Sequence, residues 1–237
     1  MTTGESGGSQ PHVFETDDGY YMVKVRNNPQ GLRVLVNELV GGLCLDWLGV
    51  KHPEPAIVQI DAALIALSPA ARLPNGQQLA EGTAFGSKLW QSDPGGSVPL
   101  SLIENKADVA GTVAFDAWIK QFDGRQYRVR PSALAPGRYD YFPVDQGFSF
   151  GNPTWTAAQL DGNHNSVAVP NPIVNIGAAD MPPFIERLRA FNIDAAEHIV
   201  NEIPSEWLED ALKASLKKYL NERTKAAADA LATKFSK

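Results

Sequence analysis

Apolar positions along this chain follow two different rhythms. Leu32, Val36, Leu39, Leu43 and Trp47 recur every three or four residues, which lines one face of an α-helix. Pro29 suits a first helical turn, Asn28 precedes it as a cap, and Gly49 is placed to end the run, so the pattern predicts a helix over Gln30–Leu48. Ahead of it, His12–Thr16 and Tyr20–Val25 are strand-like runs joined by Asp17-Asp18-Gly19, a hairpin signal. Ala56–Ile60 reads as a further strand beyond Pro53 and Pro55. Gly82–Trp90 reads as another, with Gly86 inside it at a bulge or a close backbone approach by a ligand. Ser92–Ser97 (S-D-P-G-G-S) is the linker candidate, and beyond it the helical rhythm dominates. Helical patterns cover Pro99–Gln121, Phe184–Phe191, Ala195–Glu202 and Pro204–Asn221, the last with a continuation toward Phe235. Between them lie the turn-rich Ser132–Asp140, a short apolar strand ending at Asp145, and the aromatic Phe148–Trp155. A loop at Asp161–Asn165 and the Pro/Gly-punctuated Pro170–Pro183 follow.

Charged residues that interrupt these elements carry the candidate chemistry. In the second strand Tyr20, Met22 and Lys24 share a face. If that face is covered, Lys24 needs an anionic partner, because a buried unpaired ammonium is costly; at an edge it is simply solvated. Glu38 is the one acid in the apolar middle of the following helix. A strand lysine followed by a helix glutamate is the ion pair that positions a phosphate-binding lysine in kinase-like folds. Asp123 follows a helix and Asp145 ends a strand, with Gly147 just beyond. Two such carboxylates suit phosphoryl transfer, one orienting or deprotonating a hydroxyl and the other holding Mg2+ on a triphosphate; acids near glycines also end many surface turns. Gly7–Pro11 (G-G-S-Q-P) can lay backbone N–H groups over phosphates, or serve as a floppy leader.

Composition narrows the classes. The 237 residues suffice for one large domain or two lobes. No apolar run approaches the roughly 18 residues of a membrane span, and the N-terminus lacks the basic start and apolar core of a secretory signal, so a cytoplasmic protein is expected. The single cysteine, Cys44, falls in an apolar helical pattern and reads as a small buried hydrophobe. A net charge of −6 argues against general nucleic-acid binding. That charge is uneven: residues 211–237 hold seven Lys/Arg and two Asp/Glu, about +5 against −11 for the rest. This basic end is either a solvated helical face or a docking surface for an acidic protein partner. The four histidines share no metal-ligand spacing.

Taken in order, several stretches resemble the HipA-like kinases, a divergent branch of the protein-kinase-like fold. They are G-G-S-Q-P, D-D-G-Y-Y-M-V-K-V, R-V-L-V-N-E-L-V-G-G-L-C-L-D-W-L-G-V, G-T-A-F-G-S, F-D-A-W-I-K-Q-F-D and V-D-Q-G-F-S-F-G, spanning Gly7 to Trp155. The chain is similar to small members that lack the extra N-terminal domain of the toxin-type proteins. The resemblance implies an α+β fold of two lobes. Residues 1–95 would form an N-lobe of a small antiparallel sheet with one helix, and residues 96–237 a mostly helical C-lobe, with ATP between them. It implies that Gly7, Gly8 and Ser9 form the phosphate loop, that Lys24 contacts ATP phosphates, and that Glu38 pairs with Lys24. Phe85, Gly86 and Ser87 would lie near the adenine, Asp123 would be the catalytic acid, and Asp145 would bind Mg2+. It also implies an ATP-dependent kinase acting on a Ser/Thr or other hydroxyl acceptor, protein or small molecule. The family loop N-x-D-R-x-x-x-N reads Q-F-D-G-R-Q-Y-R here, so Gln121, Gly124 and Arg128 depart from it. Arginine has only donors and cannot ligate Mg2+. Arg128 either replaces metal charge on a phosphate or marks a pseudokinase, a non-catalytic nucleotide-binding scaffold. Arg125, Arg128, Arg130 and Arg138 either read an acidic acceptor or pair with local carboxylates.

Overall fold

The computed structural model describes residues 2–3, 8–89, 98–121, 123–163 and 165–236. The hairpin signal becomes β2 (His12–Thr16) and β3 (Gly19–Lys24), paired antiparallel with Phe14 opposite Tyr21. β1 (Thr2–Thr3) joins the outer edge of β2, and β5 (Gly82–Lys88) joins β3 with Phe85 opposite Lys24. β4 (Pro55–Ile60) closes the far side, giving an antiparallel five-stranded sheet in the order β1-β2-β3-β5-β4. Alternation gives the sheet two faces. Phe14, Tyr21, Val23 and Ala84 pack on one side with Ile65 of α2 (Ala62–Leu67) and with Leu73 and Leu79. Lys24 and Phe85 occupy the other side, where Phe85 packs into the cluster formed by α1 (Leu32–Leu48).

α1 is the joint between the sheet and the helical half. Twelve of its 17 residues are buried. Its side chains share one cluster with Phe85, with Phe115 and Trp118 of α3 (Lys106–Ile119), and with α5 (Pro182–Ala190), α6 (Ile193–Asn201) and α7 (Asp210–Phe235). It starts where its hydrophobic spacing starts, at Leu32, and later than the Asn28 and Pro29 signals suggest. Gly31 has φ 83, a conformation that suits glycine, and the helix begins after it. Asn28 caps the preceding turn instead: its Oδ1 accepts from Gln30 N at 2.9 Å and its Nδ2 donates to Val25 O at 2.8 Å. Gly49 ends the helix in the left-handed conformation, as expected.

The helical half differs from its sequence pattern in four places. The Pro99–Gln121 pattern divides into a 3-10 turn at Leu100–Leu102 and α3. Asn105 is the reason for the break, because its side chain exchanges hydrogen bonds with the Tyr141 backbone at 2.7 and 2.8 Å. The arginine-rich stretch is a strand, β6 (Gln126–Pro131), paired with β7 (Tyr139–Val144), and only Tyr127 and Val129 carry its apolar alternation. Residues 161–163 complete α4 (Ala157–Asn163) rather than a loop. α7 starts at Asp210, not Pro204, and runs unbroken for 26 residues, because Leu220, Thr224, Ala227, Ala228 and Leu231 continue one buried face. The linker candidate Ser92–Ser97 and Trp90 lie outside the described residues. Among the described residues no helix is long and apolar enough to cross a membrane.

The crossing of α3 over its neighbours depends on Gly111. A Cβ there would stand 2.4 Å from Val50 Cγ2 and 2.5 Å from Phe184 Cε1. Gly111→Ala should therefore lower the urea midpoint, with a loss of about 1–3 kcal/mol from overpacking. An unchanged midpoint would mean that α3 sits further from Val50 and Phe184 than described.

Candidate active site

The strand, the helix and the loop after β7 meet at one ammonium. Lys24, at the end of β3, forms an ion pair with Glu38 in the second turn of α1, and its Nζ lies 2.9 Å from Asp145 Oδ1. The Lys24 and Glu38 side chains are 9% and 5% exposed, so Lys24 is not a solvated edge lysine. Burial alone would lower the Lys24 pKa, but the Glu38 and Asp145 charges outweigh it and hold the pKa above the ordinary lysine value. Burial raises the Glu38 pKa, with Lys24 opposing. Burial would also raise Asp145, but Lys24 outweighs it and keeps that carboxyl below the usual aspartate value. The second oxygen of Glu38 accepts from Gln146 N at 2.9 Å, so one carboxylate ties helix, strand and loop together.

Asp145 stands at φ 60, in the left-handed region that costs a non-glycine residue on the order of 1 kcal/mol. The loop around it is held from two sides. Asn37, the residue before Glu38, donates to Gly147 O at 2.7 Å and Ser149 O at 3.2 Å, and accepts from Trp155 Nε1 at 2.8 Å. From α3, Asp116 accepts from Nε and Nη2 along one edge of the Arg125 guanidinium. Arg125 also donates to Val144 O at 3.1 Å and to Gln146 Oε1 at 2.8 Å. A hydrogen-bonded path thus runs from Asp116 through Arg125, Gln146 and Glu38 to Lys24 and Asp145. Sequence reading missed Asn37, Asp116, Gln146 and Trp155. The signal for two of them was present: Asn37 and Asp116 are polar residues inside otherwise apolar helical runs.

Asp123 lies on the exposed loop after α3, where its carboxylate accepts from Gly124 N at 2.8 Å. It lines a cavity of about 460 Å³ together with Lys120, Asn171 and Arg223. Its loop connects to the Lys24 group through Arg125. Gly8 and Ser9 form a turn beside Gln30, close enough that a Cβ on Gly8 would come 2.5 Å from Gln30 Nε2. Gly7 lies outside the described residues. Phe85, Gly86 and Ser87 run through the middle of the sheet, paired on both sides. The missing side chain of Gly86 is accounted for by Val58 Cγ2 and Tyr21 Cδ1, which would stand 2.6 and 3.2 Å from its Cβ. Arg128 is exposed on β6 opposite Phe142. Arg125 and Arg138 pair with the local carboxylates Asp116 and Glu104. Several C-terminal cations are engaged at short range as well: Lys217 with Glu197 at 3.5 Å, Lys218 with Asp161 at 3.3 Å, and Lys213 with Ile203 O at 2.7 Å.

Among the described residues no group of three or more His, Cys, Asp or Glu could hold a metal unaided. Asp145, with a side chain 34% exposed, offers one accessible carboxylate beside a buried ammonium. That donor set fits Mg2+ arriving on a nucleotide, since this ion keeps waters and phosphate oxygens and asks the protein for one or two carboxylates.

A family model described as HipA-like kinase matches residues 1–130, more than half of the chain. No curated protein matches. Among solved structures, the Helicobacter pylori proinflammatory kinase CtkA matches with a TM-score of 0.64 at 13% identity, over 99% of this chain and 94% of that one. At that identity the likeness establishes the fold: mixed α+β, with a small antiparallel sheet and a helical C-terminal region.

Lys24→Met leaves the Glu38 carboxylate buried without its counter-charge. Urea denaturation near pH 7 should show a loss of about 3–5 kcal/mol, part of it recovered in Lys24→Met/Glu38→Gln. Without Lys24 the folded-state pKa of Glu38, already raised, rises further, so the folded chain binds that proton more readily than the unfolded one. The deficit of Lys24→Met should therefore shrink as pH falls from about 7 to about 5. A deficit constant over that range would remove Glu38 as its cause.

Proposed function

The chain belongs to the HipA-like kinase family, and on that footing we propose that it is an ATP-dependent phosphotransferase moving the γ-phosphoryl group of ATP to a Ser/Thr or other hydroxyl acceptor. The observation that carries this reading is the buried Lys24–Glu38 pair in direct contact with Asp145. A lysine held by a helix glutamate is the arrangement that presents a fixed positive charge to nucleotide phosphates. The sheet and α1 form one side of the nucleotide site, and the loops carrying Asp123 and Asp145 form the other.

In this reading Lys24 binds a phosphate oxygen of ATP, and Glu38 fixes its position. Gly8 and Ser9 offer backbone N–H groups to the phosphates. Phe85 and Ser87 lie on the same sheet face as Lys24, and with Gly86 they form the wall toward the base. Asp145 would hold Mg2+, which would supply positive charge to the triphosphate. Asp123 orients the acceptor hydroxyl and takes its proton as the oxygen bonds to the γ-phosphorus. The bond to ADP breaks, and its electron pair leaves on the ADP oxygen. Arg125 does not touch the reactants. Its bonds to Asp116, Val144 O and Gln146 hold the Asp123 loop against the Asp145 loop.

A second reading, a pseudokinase that binds nucleotide as a scaffold, draws on Arg128, which puts only donors where the family pattern has a metal-binding asparagine. Turnover separates the two. ATP binding should weaken at least about tenfold, roughly 1.4 kcal/mol, in Lys24→Met and in Asp145→Asn. Asp123→Asn should keep binding and lose about two orders of magnitude or more in phosphate transfer or self-labelling. Full binding in both Lys24→Met and Asp145→Asn would sink the site assignment. Nucleotide binding by the unaltered chain with no transfer under Mg2+ or Mn2+ would favour the scaffold.

A further inference from the structure

The sheet meets the helical half at a second polar corner. Thr83, near the start of β5, shares its sheet face with Phe85 and therefore with Lys24. Trp207, in the connection between α6 and α7, enters the same apolar cluster as Phe85 and is 3% exposed. Its indole Nε1 donates to Thr83 Oγ1 at 2.8 Å, and the Thr83 hydroxyl donates onward to Glu206 Oε1 at 2.6 Å. A hydroxyl has one proton to give and lone pairs to receive, so Thr83 serves both bonds at once. Glu206 is exposed, and the Thr83 bond, before any other cause, holds its carboxyl below the ordinary glutamate value. Arg26, just beyond β3, adds its charge to the same corner. It lies against Gly82, where a Cβ would stand 2.6 Å from its Nη1.

The connection is fixed to the helical half before it reaches the sheet. Ile203, Trp207 and Leu208 are buried. Trp207 N closes a turn on Pro204 O at 3.0 Å, and Lys213 of α7 donates to Ile203 O at 2.7 Å. Two polar ties from strand to helical half therefore lie on one sheet face: Lys24 with Asp145, and Thr83 with Trp207 and Glu206. Lys24 stands opposite Phe85 in the ladder, and Phe85 is two residues from Thr83, about 7 Å along β5. A sheet that tilts away from Trp207 carries Lys24 away from Asp145. The same tilt leaves a buried indole N–H without its acceptor, which opposes it.

We propose that Thr83, Glu206 and Trp207 form a clasp that positions Lys24, seating the sheet on the helical half at the angle at which the ammonium meets Asp145. They are positioning residues and touch no reactant. The clasp itself stands on the geometry of the chain; its effect on nucleotide binding rests on the kinase reading.

The test is the rate at which acetic anhydride acetylates each lysine of the full-length chain without nucleotide, resolved by mass spectrometry, in four forms: unaltered, Thr83→Val, Thr83→Ser and Glu206→Ala. Valine keeps the shape of threonine and loses both bonds; serine keeps both. Thr83→Val should acetylate Lys24 about tenfold faster, with the rates at half-buried Lys120 and exposed Lys225 unchanged. Thr83→Ser should return Lys24 to the unaltered rate. Glu206→Ala, an exposed change, should move Lys24 in the same direction by a smaller factor, and it decides the matter if Thr83→Val does not fold. An unchanged Lys24 rate, an equal rise at Lys120, or Thr83→Ser behaving as Thr83→Val would overturn the proposal. ATP titration of the same samples keeps the two readings apart. Weaker ATP binding in Thr83→Val, restored in Thr83→Ser, supports the positioning role, and unchanged binding beside a faster Lys24 overturns it. No ATP binding by the unaltered chain, with the acetylation pattern as expected, overturns the kinase reading and leaves the clasp standing.

Discussion

A lysine out of water must have its charge answered, and in this fold the answer comes from three directions. Lys24 ends a strand, Glu38 sits on a helix, and Asp145 follows a hairpin, so satisfying one ammonium fixes the relation of three chain segments far apart in sequence. The pair is weak evidence for stability, since an apolar replacement of similar shape often does as well. Its value is positional. An ammonium buried between two carboxylates stays charged and still, which is what the proposed contact with nucleotide phosphates would require.

The second oxygen of Glu38 extends that order into the loop beyond Asp145. Gln146 binds it through the backbone and binds Arg125 through the side chain, and Arg125 is neutralised by Asp116. The strained backbone of Asp145 persists because Asn37, Trp155 and Arg125 over-determine its surroundings. The polar groups of this region form a closed network, and for that reason they can be buried in an otherwise apolar interior.

Much of this was legible in the sequence, because the elements that carry it obey local rules. The β2–β3 hairpin is written in Asp18-Gly19, α1 in its three- and four-residue spacing, and the Lys24–Glu38 pair in two charges set within apolar runs. What was not legible depends on distant partners. Asn105 breaks a helical pattern because Tyr141 receives it, 36 residues away. β6 carries arginines on a strand because β7 supplies its ladder, and Arg130 covers the Phe142 ring at 4.7 Å. The buried role of Arg125 required an acid on α3 and a carbonyl on β7, neither of them near it in the pattern. The cavity beside Asp123 is lined by residues of the segment 166–173, whose two prolines announce only irregularity, and the cations that hold that segment, Arg223 and Lys234, lie near the other end of the chain.

α1 is covered along most of its length, with 12 of its 17 residues buried. Its residues enter the same apolar cluster as Phe85 of the sheet and as α3, α5, α6 and α7. The two halves of the chain therefore share this helix as common property, and neither can be lifted away without stripping it. A chain cut between Leu89 and Val98 would yield two fragments that stay together in solution, because separating them exposes α1 to water.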